Sequence, residues 1–128
     1  MDIDIFSLCD GAFNYNGRLS IIGTYDQISV SEIPKSIRTS FAMKLTFLRS
    51  EIVPDMRLSV SFRDSQNNLV ASGFECPVIA PTQPGGFVHV ALAYNIEMSI
   101  SSLGNYKVVL AVNGEERITR SFSVVLNH

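Results

Sequence analysis

From Phe41 the chain reads Phe-Ala-Met-Lys-Leu-Thr-Phe, with a large apolar residue at every second position and small or polar residues between them. The same period recurs where Leu58, Val60 and Phe62 alternate with Arg57, Ser59, Ser61 and Arg63. A side-chain period of two belongs to an extended strand with one face on a core and one in water. Farther on, Val88, Val90, Leu92, Tyr94, Ile96 and Met98 form a long apolar phase opposite Phe87, His89, Ala91, Ala93, Asn95 and Glu97. A strand of that length is expected to bend or bulge. Residues 106–112 and 117–126 supply the last two strands, and residues 5–9, 18–22, 25–30 and 69–75 supply further ones. No window of ten residues carries a helical spacing that period two does not also explain. Helix is therefore expected only as single turns around residues 10–14 and 53–56.

Eight or nine short strands separated by Gly, Pro, Asn and Asp clusters predict an all-β fold, an immunoglobulin-like antiparallel β-sandwich. The chain has 128 residues, a length that one core can serve, so a single domain over residues 1–128 is expected. Two segments read as loops, residues 31–39 and 77–86. The three prolines of the second, Pro77, Pro81 and Pro84, exclude a central strand and predict a crossing between sheets or a cover over an edge. Ser102-Leu-Gly-Asn-Tyr106 precedes an alternating strand as a tyrosine corner does in immunoglobulin-like sandwiches, with Ser in place of the usual Asp. Tyr106 is therefore expected to pack inward and bond upstream backbone.

The pair Asn113-Gly114 signals a two-residue hairpin. That simplest register, however, would place Leu110 opposite Arg117 and Val108 opposite Thr119. Cross-strand partners share a face, so Ile118, Phe122, Val124 and Leu126 would then point away from the core that Val108 and Leu110 face. One extra residue, in the loop or in a nearby bulge, restores a common face. Arg120 then falls in the inward phase and should lie at a sheet edge or find an acidic partner.

Composition narrows the possible functions. The formal net charge of −2 gives no overall basic surface for nucleic acid. Residues 35–64 do carry six bases against three acids, but Lys44, Arg57 and Arg63 alternate with apolar neighbours and read as solvated outer positions. No apolar run approaches the roughly 18 residues that span a bilayer, and the start Met-Asp-Ile-Asp-Ile lacks the bases of an export signal. A cytoplasmic protein is expected, with Cys9 and Cys76 as buried or half-buried thiols. Phe41, Phe47 and Phe62 alternate as core residues do, Phe87 falls on the polar phase, and Phe6 and Phe13 fit either. No membrane partner and no nucleic acid are therefore predicted.

At residues 8–28, LCDGAFNYNGRLSIIGTYDQI, the sequence resembles an uncharacterised bacterial family of small domains of unknown function. The matching positions are Cys9, Asp10, Ala12, Gly17, Arg18 (where the family usually has Lys), Leu19, Ile21, Gly23, Tyr25 and Asp26; the closing GNYKVVLAVNGEE is also similar. The resemblance implies a β-sandwich and a bacterial origin, and brings no activity. In physical terms Gly23 suits a bulge or a close backbone approach, while Asp10 and Asp26 suit turn backbone or a paired carboxylate.

A search for catalytic chemistry gives little. His89 lies on the outward phase and His128 at the end, so a hydrolase would need His89 beside Cys76 or a serine in a cleft. The two cysteines and two histidines lack zinc spacing, no third ligand completes a calcium set around Asp10 and Asp26, and PGGF at residues 84–87 lacks a phosphate-loop pattern. No enzyme activity, metal or cofactor is predicted. The expected role is protein interaction or scaffolding with an unknown protein partner, including self-association through the strand that exposes Phe87, His89, Ala91 and Ala93. The alternative is small-ligand or carbohydrate binding by clustered loops, using Tyr25, Asp26 and residues 77–86.

Overall fold

The computed structural model describes residues 1–80 and 86–127. Nine strands follow one another: β1 (Asp2–Tyr15), β2 (Arg18–Tyr25), β3 (Gln27–Val30), β4 (Lys35–Leu48), β5 (Arg57–Arg63), β6 (Phe74–Pro77), β7 (Phe87–Ile100), β8 (Gly104–Val112) and β9 (Glu115–Leu126). They form two sheets, one in the order β2-β1-β4-β7 and the other β3-β9-β8-β5-β6. Between the sheets lies the core that the alternation marked. Phe41, Met43, Leu45 and Phe47 from β4 and Leu58, Val60 and Phe62 from β5 are all buried there. Phe41 is its aromatic centre, with edge-on contacts to Phe6 at 4.9 Å and to Phe62 at 5.6 Å.

The closing hairpin contains both the tight turn and the extra residue. Asn113 (φ 50°) and Gly114 (φ 82°) are both left-handed, as a two-residue type I′ turn requires. Ala111 pairs with Glu116 and Leu110 with Ile118, so Arg117 is the additional residue of a bulge. Val108, Leu110, Ile118 and Phe122 consequently share the inner face and are buried. Arg120 is exposed at a stretch of β9 that β3 does not flank, because β3 pairs only with Ser123–Leu126. At the opposite end of β8 the Tyr106 hydroxyl donates to the Ser102 carbonyl at 2.7 Å, and its buried ring stacks on Phe122.

Several boundaries differ from the sequence expectation because long-range pairing overrides local signals. Residues 10–14 are strand, held opposite β2 by the left-handed Asn16-Gly17 turn. Residues 53–56 form a turn with Asp55 left-handed, and the one helical turn among the described residues lies earlier, at Arg49–Glu51. The expected loop over residues 31–39 is strand from Lys35, since β4 and β7 pair without a break from Lys35↔Ile100 to Leu48↔Phe87. For the same reason β7 carries no bulge. The strand expected over 69–75 shrinks to Phe74–Pro77 and an isolated bridge at Leu69. Between β2 and β3 the chain changes sheets, and β3 runs parallel to β9, so the sandwich is not wholly antiparallel. Pro77 closes the edge strand β6, from which the chain passes to β7, the edge of the other sheet. Within the second predicted loop, residues 81–85 lie outside the described residues.

Candidate functional site at the root of a β arm

β1 pairs with β4 only from Asp2 to Cys9; beyond that its sole strand partner is β2. The free part of this hairpin forms an arm. Both of its strands approach β7, although β7 lies at the far edge of the sheet, and the Asn14 amide donates to the Ala91 carbonyl at 2.8 Å. The arm therefore crosses the outer face of the sheet. Small residues allow it to lie close: Ala42 is fully buried outside the inter-sheet core, and Ala91 and Ala93 are half-buried. This corrects the expectation of a free apolar face at Phe87, His89, Ala91 and Ala93. Phe87 and His89 are exposed, whereas the two alanines sit in the arm's path.

The edge of β7 is also partly occupied. Asn14 takes the Ala91 carbonyl, and the Ser99 amide donates to the Val70 carbonyl at 2.8 Å. His89 Nδ1 lies 3.0 Å from the Thr46 hydroxyl, which donates to Asp4 at 2.6 Å on an open surface. Cys76 is on β6 in the other sheet, so His89 and Cys76 are not brought together. Both cysteines are free, and burial raises both thiol pKa values, with the Asp10 charge adding to the rise at Cys9.

The family-like residues converge at the root of the arm. Gly23 is left-handed (φ 63°) and packs on the Asp10 carboxylate so closely that a Cβ there would collide with it. The Thr39 hydroxyl donates to the Cys9 carbonyl at 2.9 Å, which leaves the Tyr25 hydroxyl to donate to Thr39. Burial raises the Tyr25 pKa, and the Asp10 charge raises it further, against the opposing effect of the Thr39 bond. Around this framework lie two adjoining depressions of about 420 and 410 Å³ that share Asp10, Arg38 and Thr39. One continues over Gly23, Tyr25 and Ile37, the other over Ser40, Asn95 and Glu97.

Tyr25 belongs to this site, but the predicted companions do not join it. Asp26 lines a neighbouring cleft of about 200 Å³ with Arg120, which Tyr25 also borders, and its carbonyl accepts from the Ser123 amide at the start of β8's ladder with β9. Pro77 pairs with Arg57, beside Asn113 at the opposite end of β8. The described part of the second predicted loop is thus remote from Tyr25 and Asp26. Asp10 and Asp26 do not share a pocket, and no group of three His, Cys, Asp or Glu side chains suited to a metal occurs among the described residues. Sequence reasoning missed Arg38, Asn95 and Glu97. The pairings Arg38↔Glu97 and Ser40↔Asn95 bring them together, and only knowledge that β4 and β7 are neighbours could have revealed that.

Fold and site together define a two-sheet β-sandwich carrying a surface arm and a polar depression at the arm's root. The chain belongs to a family of unknown function, DUF6941, whose model matches residues 4–125. No curated protein matches it. Among solved structures it is similar to the Pseudomonas fluorescens alkylpurine DNA glycosylase AlkC bound to DNA containing an abasic site analog. Identity is 15%, the TM-score is 0.41, and the match covers 77% of this chain and 27% of that one. The chain thus spans about a quarter of that protein, and a likeness this distant carries no functional argument. No helix among the described residues is long and apolar enough to cross a membrane.

Proposed function

We propose that the chain is a non-catalytic interaction domain of immunoglobulin-like topology that self-associates through its arm. The topology rests on β1, β4 and β7 lying opposite β9, β8, β5 and β6, the order of A-B-E and G-F-C-C′ strands, with a tyrosine corner opening the F-like β8. The observation that carries the interaction reading is the arm's upper face. Phe13, Tyr15 and Ile22 are 65%, 76% and 62% exposed, and the β1–β2 register puts them on one side. At roughly 150–250 Å² per aromatic ring, Phe13 and Tyr15 alone leave about 300 Å² in water, the size of a functional patch. Phe87 (60% exposed) and its cross-strand neighbour Leu48 add apolar surface at one end of the outer sheet face.

A second copy is the occupant that suits this surface. The free strand β2 has no charge and no proline from Leu19 to Tyr25, so it lacks the usual protection of an edge strand. Its partner should offer a similarly uncharged stretch, as Leu19 to Tyr25 does. Two arms stacked face to face across a two-fold axis, at the ordinary sheet spacing of about 10 Å, would cover both aromatic patches. Free thiols support a reducing, cytoplasmic setting. The open position of the His89–Thr46 pair supports a non-catalytic role.

Sedimentation equilibrium tests the proposal. A dimer is expected at about 50 μM, and a Phe13→Asp/Ile22→Asp variant should sediment as a monomer with an unchanged circular dichroism spectrum. A monomeric wild type, or a variant that still dimerises, overturns it.

A further inference from the structure

Around the arm root, the polar groups on the arm side and on the sheet side face water and are only partly engaged by protein partners. The side chains of Arg38 and Asp10 make no hydrogen bond or ion pair among the described residues, although both border the two depressions. Asn95 accepts from Ser40 through Oδ1, which leaves its amide protons available. Glu97 accepts from Ser36 through Oε1, which leaves its second oxygen available. Tyr25 and Thr39 are already committed to one another and to Cys9, so they act as a fixed floor.

We infer that this corner binds a neutral polyhydroxylated ligand, a sugar ring, through Asp10, Arg38, Asn95 and Glu97. Guanidinium, carboxylate and carboxamide are all planar groups that can engage two adjacent hydroxyls at once, and a hydroxyl both donates and accepts. The mixed set here, donors from Arg38 and Asn95 and acceptors from Asp10 and Glu97, matches vicinal hydroxyls better than it matches an ion. An anion on Arg38 meets two flanking carboxylates. A cation on either carboxylate meets the guanidinium, in an open depression where salt screens the attraction. Each depression, at about 400 Å³, has the volume of a small-molecule site. Gly23 keeps the Asp10 carboxylate at the rim, because no side chain fits between them. Tyr25 is half-buried with its hydroxyl already bonded to Thr39, so affinity comes from hydrogen bonds and stays weak.

The test is a backbone amide NMR titration of the full chain with D-glucose, D-mannose, D-galactose and myo-inositol, each taken to about 50 mM, above the millimolar Kd that a few exposed hydrogen bonds give. At least one should produce saturable shifts confined to residues 10, 23–25, 38–40 and 95–97. Arg38→Ala, an exposed position whose loss leaves the core intact, should weaken that binding by about tenfold or more. Asp10→Ala should do the same. The Phe13→Asp/Ile22→Asp protein should bind as the wild type does, which separates this site from self-association. Absence of saturable shifts with all four, binding unchanged in both Arg38→Ala and Asp10→Ala, or occupation of the corner by glycine or phosphate in place of the sugars would each overturn the inference.

Discussion

On its inner face β4 presents Phe41, Met43, Leu45 and Phe47, all buried against the opposite sheet. On its outer face it presents Ser40, Ala42, Lys44 and Thr46, and two of these, Ser40 and Ala42, are buried as well. The inner face is covered by side chains of similar size from β5, β8 and β9. The outer face is covered by a two-stranded arm whose backbone must come close, and this is what small residues permit. One strand thus solves two packing problems, filling volume on one side and leaving room on the other.

Breaking the inner face should have the larger effect. Phe41 contacts Phe6, Phe62 and Phe74, so Phe41→Ala leaves a ring-sized cavity and is expected to cost about 3–5 kcal/mol in urea unfolding. A loss under about 1 kcal/mol would show that the core collapses around the gap and that the inner face is no more demanding than the outer one. The outer face should respond differently. Ala42→Leu has no room beneath the arm and should destabilise by about 1–3 kcal/mol, mainly by lifting it. Hydrogen exchange should therefore quicken at residues 11–22 while amides of β8 keep their protection. Uniform quickening, or none, would mean that the arm is not the element lying over Ala42.

The same contrast governs what was legible in the sequence. Inner-face residues announce themselves, because a large apolar side chain at every second position is what a strand packed on a core requires; β4, β5, β8 and the bulge opposite Asn113-Gly114 all follow from that phase. Outer-face cover leaves no such mark. Ala91 and Ala93 read as apolar residues on a solvent phase, and nothing local shows that Asn14, more than seventy positions earlier, reaches the Ala91 carbonyl. Nor does the sequence show that Arg38 and Glu97 are paired across β4 and β7. Tyr25 and Asp26 are adjacent in the chain and share one cleft, but only Tyr25 also reaches the arm root, because the chain changes sheet after it.

The smallest expected effect lies where the two faces meet. Unfolded, Tyr25 should lose its proton near the ordinary tyrosine pKa of 10.0, whereas in the fold burial and the Asp10 charge keep it protonated to higher pH. Above about pH 10 the unfolded chain therefore holds fewer protons than the native one, so stability falls as pH rises toward the folded pKa. Below pH 10 this contribution is fully present. Cys9 and Cys76, also raised, add losses that begin near their ordinary value of 9.0. Tyr25→Phe separates the tyrosine from the thiols. At neutral pH it should lower stability by about 0.5–1.5 kcal/mol through the lost bond to Thr39, and from about pH 9.5 to 11.5 its midpoint should fall less steeply than the wild type's. Equal slopes would mean that Tyr25 ionises as freely in the fold as in the unfolded chain, and the arm root would then be open to water on the Tyr25 side.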